Sequence, residues 1–212
     1  NAVALHNLLS ITKVRGPYVL VGHSFGGLYA RMFAEMYPDE VAGMVLIEAT
    51  NPDALQVLGQ PDAMPGADPT MMRLGPAAGR AGVLRAARMF RADPALPAGQ
   101  QGELNAYYAS EKFAQEMQRQ YELFPTLLAQ VRTTGTLGSR PLAVVLGSEG
   151  DGGVEAWRRL FEAQAGLSTN STTRVVEGAT HLSLVNDRED AAQTAGAILD
   201  VVEAIRTGGR LE

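Results

Sequence analysis

The strongest constraint on how this chain folds is a junction near its start. Tyr18-Val19-Leu20-Val21 is an unbroken apolar run of the kind buried on both faces of a parallel sheet. It leads directly into Gly22-His23-Ser24-Phe25-Gly26-Gly27, and residues 28–37 then read as helix. A strand that becomes a helix within a few residues needs a sharp bend. That bend puts Ser24 in a strained backbone conformation with its hydroxyl projecting above the sheet. Gly22 and Gly26, two residues to either side, are expected where strand and helix backbones pass too close for a Cβ.

The same alternation continues. Gly43-Met44-Val45-Leu46-Ile47 reads as a second buried strand closed by Glu48, Leu142-Ala143-Val144-Val145-Leu146 as a third ending at Gly147, and Thr173-Arg174-Val175-Val176 as a fourth. Ala4, Leu5, Leu8, Leu9 and Thr12 share one face of a helix before the first strand. Val154, Trp157, Leu160 and Phe161 fit another, and a last one starts at Asp187, a good N-cap, and stops at Gly208-Gly209. Strands alternating with helices make an α/β domain: a parallel sheet with flanking helices. Residues 51–135 differ. Over 51–102, prolines at 52, 61, 65, 69, 76, 94 and 97 break long regular elements, whereas 103–132 reads as more helical, and 51–135 as a whole reads as an insertion of mostly short helices. The core is then 1–50 together with 136–212.

Composition removes several function classes. With 212 residues, 18 basic and 23 acidic side chains and a net charge of −5, the chain lacks the basic footprint of a nucleic-acid binder. The absence of cysteine excludes disulfides, thiolate catalysis, iron–sulfur clusters and cysteine-ligated zinc. No metal cluster or phosphate loop stands out, so no cofactor is expected. No apolar run approaches the roughly 20 residues of a membrane span, and no signal peptide is visible. The default expectation is a soluble, cytoplasmic protein, although the chain does not open on methionine.

In a parallel sheet, reactive groups gather at the carboxyl ends of the strands. Here those ends carry Ser24, Glu48, the pair Glu149 and Asp151, and His181. A serine hydroxyl needs a base to take its proton, and histidine is the usual one near neutral pH. Of the three histidines, His6 precedes the first strand, and His23 is expected to point away from the approach a base must make. His181 remains. Glu48, Asp151 and Glu149 all satisfy the order serine, acid, histidine, and all three stay open for the carboxylate that orients the imidazole. The N–H of Phe25, at the start of the helix after Ser24, is the natural oxyanion donor. A phosphate-binding turn is the competing reading of the glycines, but the lysine of such a loop is missing.

Together, Val21-Gly22-His23-Ser24-Phe25-Gly26-Gly27, Met44-Val45-Leu46-Ile47 and Gly178-Ala179-Thr180-His181 resemble the α/β-hydrolase fold superfamily, in particular its capped serine esterases and lipases. The resemblance implies a nucleophile elbow at Ser24, a histidine loop at His181 and a helical cap over 51–135. It also implies cleavage of a small-molecule carboxylic ester through an acyl-enzyme. In most members the acid follows the third of these strands as Gly-x-x-Asp. Here that fourth position is Gly150, which leaves Asp151 one residue out of register. Other members place the acid after the strand that carries Glu48. Members usually have several strands before the elbow, including the loop with a second oxyanion N–H. Only 23 residues precede Ser24 here, so the resemblance implies the C-terminal half of the core, with strand 18–21 at a sheet edge. Met64, Met71, Met72, Leu74, Met89 and Phe90 offer either an apolar substrate site or the core of the cap itself. Acyltransferase, thioesterase and perhydrolase chemistry share the apparatus, and a non-catalytic binding protein of the same fold is the alternative of another class.

Overall fold

The computed structural model describes every residue except 58, 60–62, 65, 93, 95, 150–154 and 212, and the side chain of 156. The chain divides into two units, one formed by residues 1–59 with 128–212, the other by residues 60–127.

In the first unit, four strands form one parallel sheet in the order β1-β2-β3-β4: β1 (Tyr18–His23), β2 (Val41–Ile47), β3 (Leu142–Gly147) and β4 (Ser171–Val176). Each new strand is added on the same side of the last, so β1 and β4 are the outer strands. Side chains alternate across the sheet as the two-residue period requires. Met44, Leu46, Leu142, Val144 and Leu146 pack with Ala30 and Phe33 of α2 (Gly26–Met36) and with Phe161 of α8 (Glu155–Ala163). Val45, Ile47, Ala143 and Val145 pack on the opposite face against Ala197 and Val201 of α10 (Arg188–Thr207). Both crossover helices, α2 and α8, therefore lie on one face, the arrangement that right-handed crossovers give when strands are added in one direction. Burial on both faces explains why β2 and β3 read as unbroken apolar runs, each large side chain contributing roughly 1.5–3 kcal/mol.

Two helix ends follow their sequence signals. Asp187 accepts hydrogen bonds from the N–H groups of Glu189 and Asp190 at the start of α10, and Gly208 closes that helix in the left-handed conformation. The first helix does not follow its apolar stripe. In α1 (Ala2–Ile11), Leu5 and Leu8 face outward, while Ala2, His6 and Leu9 turn inward and His6 stacks on Tyr37 at 4.0 Å. An apolar stripe says which face prefers cover, not which face the neighbouring helix covers.

In the second unit, Pro69, Pro76 and Pro125 open or sit inside helices instead of breaking them. Pro69 occupies the first position of α4 (Pro69–Arg80), capped by Asp68, where a missing N–H costs nothing. Pro76 lies within α4 and Pro125 within α7 (Glu111–Arg132), which falls in the stretch read as more helical and, at 22 residues, exceeds the short helices expected of most of the insertion. The last turns of α7, from Leu128, belong to the first unit. The other α-helices among the described residues are α3 (Ala54–Val57), α5 (Val83–Ala87), α6 (Ala98–Tyr108) and α9 (Ser183–Asn186).

Candidate active site

All four parallel strands end at one edge of the sheet, and that edge assembles the site. At the end of β1, Ser24 takes up φ +54°, a left-handed conformation that costs a residue with a Cβ of order 1–3 kcal/mol. The bend is held from both sides. The Ser24 N–H donates to the Ile47 carbonyl at 3.1 Å, and the Ser24 carbonyl accepts from Gly27 N at 3.1 Å and from Thr50 N at 3.0 Å. Phe25 is the N-cap residue of α2, so its N–H stands at the positive end of that helix, beside the serine.

The glycines divide differently from the sequence expectation. A Cβ on Gly22 would approach the backbone nitrogen of Gly27 to 2.7 Å, so Gly22 is required. Gly26 is not. Its Cβ position meets nothing within 4 Å, because that side of the helix faces a hollow of about 210 Å³ shared with Leu5, Leu20, Val21 and Tyr29. The required partner is Gly27, where a Cβ would collide with that of Ala49.

At the end of β2, Glu48 repeats the bend with φ +34°, its N–H donating to the Val145 carbonyl at 2.8 Å. Its side chain is 0 % exposed. Each carboxylate oxygen has a donor: Oε1 accepts from Gly147 N at 2.8 Å, and Oε2 accepts from His181 Nδ1 at 2.8 Å. Two such bonds are what a fully buried carboxylate requires. The segment after Glu48 is fixed as well, since the Ala49 carbonyl accepts from Gln164 Nε2 and Asn51 Nδ2 donates to the Leu160 carbonyl, each at 2.8 Å.

His181 comes from β4, three strands away from β1. After Gly178, at φ +77°, the loop crosses the strand ends in order. The Ala179 carbonyl accepts from Glu149 N beyond β3, His181 meets Glu48 beyond β2, and its main chain then meets His23 on β1. Gly147 permits the crossing, because a Cβ there would collide with the Ala179 carbonyl oxygen and stand 3.2 Å from Glu48 Oε1. With Nδ1–H committed to Glu48, the other ring nitrogen of His181 is left as an acceptor. The side chain is 36 % exposed.

Of the three carboxylates weighed from sequence, the fold brings Glu48 to His181. Glu149 is exposed and meets the histidine loop through its backbone N–H alone among the contacts described. Asp151 lies outside the described residues. The expectation for His23 was wrong. Its ring turns toward His181, with centroids 4.4 Å apart, and Nε2–H donates to the His181 carbonyl at 2.9 Å. Burial is the main cause that lowers its pKa, and the neighbouring His181 pushes the same way. The bond to the His181 carbonyl and the charge of Glu48 pull upward by less. Ser24, directly after His23, is thus linked through one side chain to the residue that carries the exposed imidazole. Sequence reading missed His23, Gly27 and Gly147. The doubled glycine and the glycine closing a buried strand were signals for the latter two.

Among the described residues, no group of three His, Asp or Glu side chains is placed to hold a metal ion, and no helix is long and apolar enough to cross a membrane.

The profile of the alpha/beta hydrolase family matches residues 2–197. Among solved structures, an Acinetobacter baumannii protein assigned as a lipase superposes with TM-score 0.58 at 18 % identity, covering 98 % of this chain and 67 % of its own. An epoxide hydrolase from metagenomes of hot environments does so with TM-score 0.64 at 16 % identity, covering 95 % of this chain and 72 % of its own. At such identities the likeness is one of fold. An uncharacterized protein of Schizosaccharomyces pombe is 41 % identical over 56 residues, 26 % of this chain; the match spans 10 % of that protein's length.

Proposed function

The chain belongs to the α/β hydrolase family, and from that premise we propose that it cleaves a carboxylic ester through an acyl-enzyme, with Ser24, His181 and Glu48 as nucleophile, base and acid. The observation that carries this reading is the hydrogen bond from His181 Nδ1 to the fully buried Glu48 carboxylate, at the strand end beside Ser24.

The chemistry follows from that bond. Glu48 fixes the imidazole tautomer with the proton on Nδ1, leaving Nε2 to accept the Ser24 proton as the oxygen attacks the ester carbonyl. The carbonyl π electrons move to oxygen, and the Phe25 N–H donates to the oxyanion at the start of α2. The proton then passes from His181 Nε2 to the departing alcohol as the C–O bond breaks. Water repeats the sequence on the acyl-serine: His181 takes its proton, the tetrahedral adduct collapses, and the proton returns to Ser24. The buried Glu48 carboxylate stabilises the imidazolium that forms twice in the cycle.

The substrate class this reading assigns is a small, apolar ester. Within the second unit, taken by itself, Met64 and Met72 are buried and Met71, Leu74, Met89 and Phe90 are exposed. The decisive experiment is hydrolysis of p-nitrophenyl butyrate together with labelling by a fluorophosphonate. Loss of both in Ser24→Ala and His181→Ala supports the assignment; hydrolysis that survives Ser24→Ala removes it.

A further inference from the structure

We infer that His23 is a positioning residue for the base: through the His181 carbonyl it tethers the far end of the loop that carries the imidazole. The inference rests on the hydrolase reading above and adds a residue to it.

The topology creates the need. His181 leaves an outer strand and must arrive beside Ser24, which ends the opposite outer strand. The loop is therefore stretched across the ends of β3 and β2 before it reaches its working position. Glu48 secures only the side chain, at Nδ1. The main chain on either side is held by the Glu149 N bond to the Ala179 carbonyl and by the bonds of Thr180 with Ser183 and Leu184, but these engage the neighbours of His181 and not its own carbonyl. The second attachment comes from the residue directly before Ser24: His23 Nε2–H donates to the His181 carbonyl at 2.9 Å. Base and hydroxyl are then tied by a path of one side chain and one peptide link. The two rings also lie against each other, 4.4 Å apart at an interplanar angle of 32°, which limits rotation of the His181 ring. Their contact requires a neutral His23, since an imidazolium there would oppose the one that forms on His181. The groups facing His23 are His181 and Glu48, and burial disfavours the charged form of the ring.

Two substitutions separate the tether from simple packing. In His23→Gln the amide nitrogen falls where Nε2 stood and can still donate to the His181 carbonyl. In His23→Asn the same amide ends one bond short, at the place of Nδ1. Kinetics on p-nitrophenyl butyrate, fluorophosphonate labelling rates and melting curves are measured for both, with Ser24→Ala and His181→Ala as references. We expect His23→Asn to lose about a hundredfold in kcat and labelling rate with KM within about twofold, and His23→Gln to recover to within about fivefold of the parent. Equal activity of His23→Asn and the parent overturns the inference, as does a His23→Gln variant as slow as His23→Asn, or a loss that falls on KM. If Ser24→Ala or His181→Ala keeps the parent rate, the hydrolase reading fails and the tether to a base fails with it. If those two lose activity and His23→Asn does not, the tether alone is wrong.

Discussion

His181 and Glu48 are separated by 133 positions in sequence and by 2.8 Å between Nδ1 and Oε2. The contact closes only because two backbones give way: Glu48 adopts a positive φ, and Gly147 lacks the Cβ that would block the Ala179 carbonyl. The carboxylate acts as an acceptor toward both donors. That property makes the amide substitution informative.

In Glu48→Gln, one oxygen can still accept from Gly147 N, so the NH₂ group is left facing His181 Nδ1. It can only donate. The imidazole must then carry its proton on Nε2, the nitrogen that the proposed mechanism needs empty. We expect kcat to fall about 10³–10⁴-fold while the fold survives, the cost of a wrong tautomer in a well-kept geometry. Ester hydrolysis and a thermal melt of the same preparation check this. Activity within tenfold of the parent would assign the acid elsewhere.

The glycines of the elbow make a stability series. Gly26→Ala adds a Cβ into open space on a helix and is expected to stabilise by up to about 1 kcal/mol. Gly22→Ala and Gly27→Ala force backbone or Ala49 to move and are expected to cost about 1–3 kcal/mol each, or more where the bend cannot shift. Gly147→Ala belongs with them, and its displaced Ala179 carbonyl should also loosen His181. Chemical denaturation of the four variants orders them, and a Gly26→Ala variant as unstable as Gly27→Ala would contradict the packing described.

What was legible from sequence is what local patterns encode. The apolar runs gave the strands, because burial on both faces leaves no polar position in β2 or β3. The bend at Ser24 was legible from the strand and helix around it, and the position of His181 in a loop at the strand ends from its place after the fourth strand. The choice of carboxylate was not, since it depends on where Glu48 Oε2 points once its backbone turns at φ +34°. The orientation of His23 was not either. A ring at the end of one outer strand meets a loop from the other, and no local pattern reports a contact across 158 positions. Gly26 was misassigned because G-x-S-x-G spacing names a glycine without saying which side of the bend is crowded.

The lowered pKa of His23 gives a pH dependence with a definite sign. In the unfolded chain the ring titrates near its ordinary value of 6.5, while in the folded chain burial holds it lower. Between those two values the unfolded chain binds more protons, so stability falls as pH drops through 6.5 and levels off below the folded pKa. Replacing the ring with a group that does not titrate removes this contribution. The loss of Tm between about pH 7.5 and pH 5.5 should be smaller in His23→Gln than in the parent. Parallel melting curves show it, and equal losses in the two proteins would mean that His23 is as easily protonated folded as unfolded.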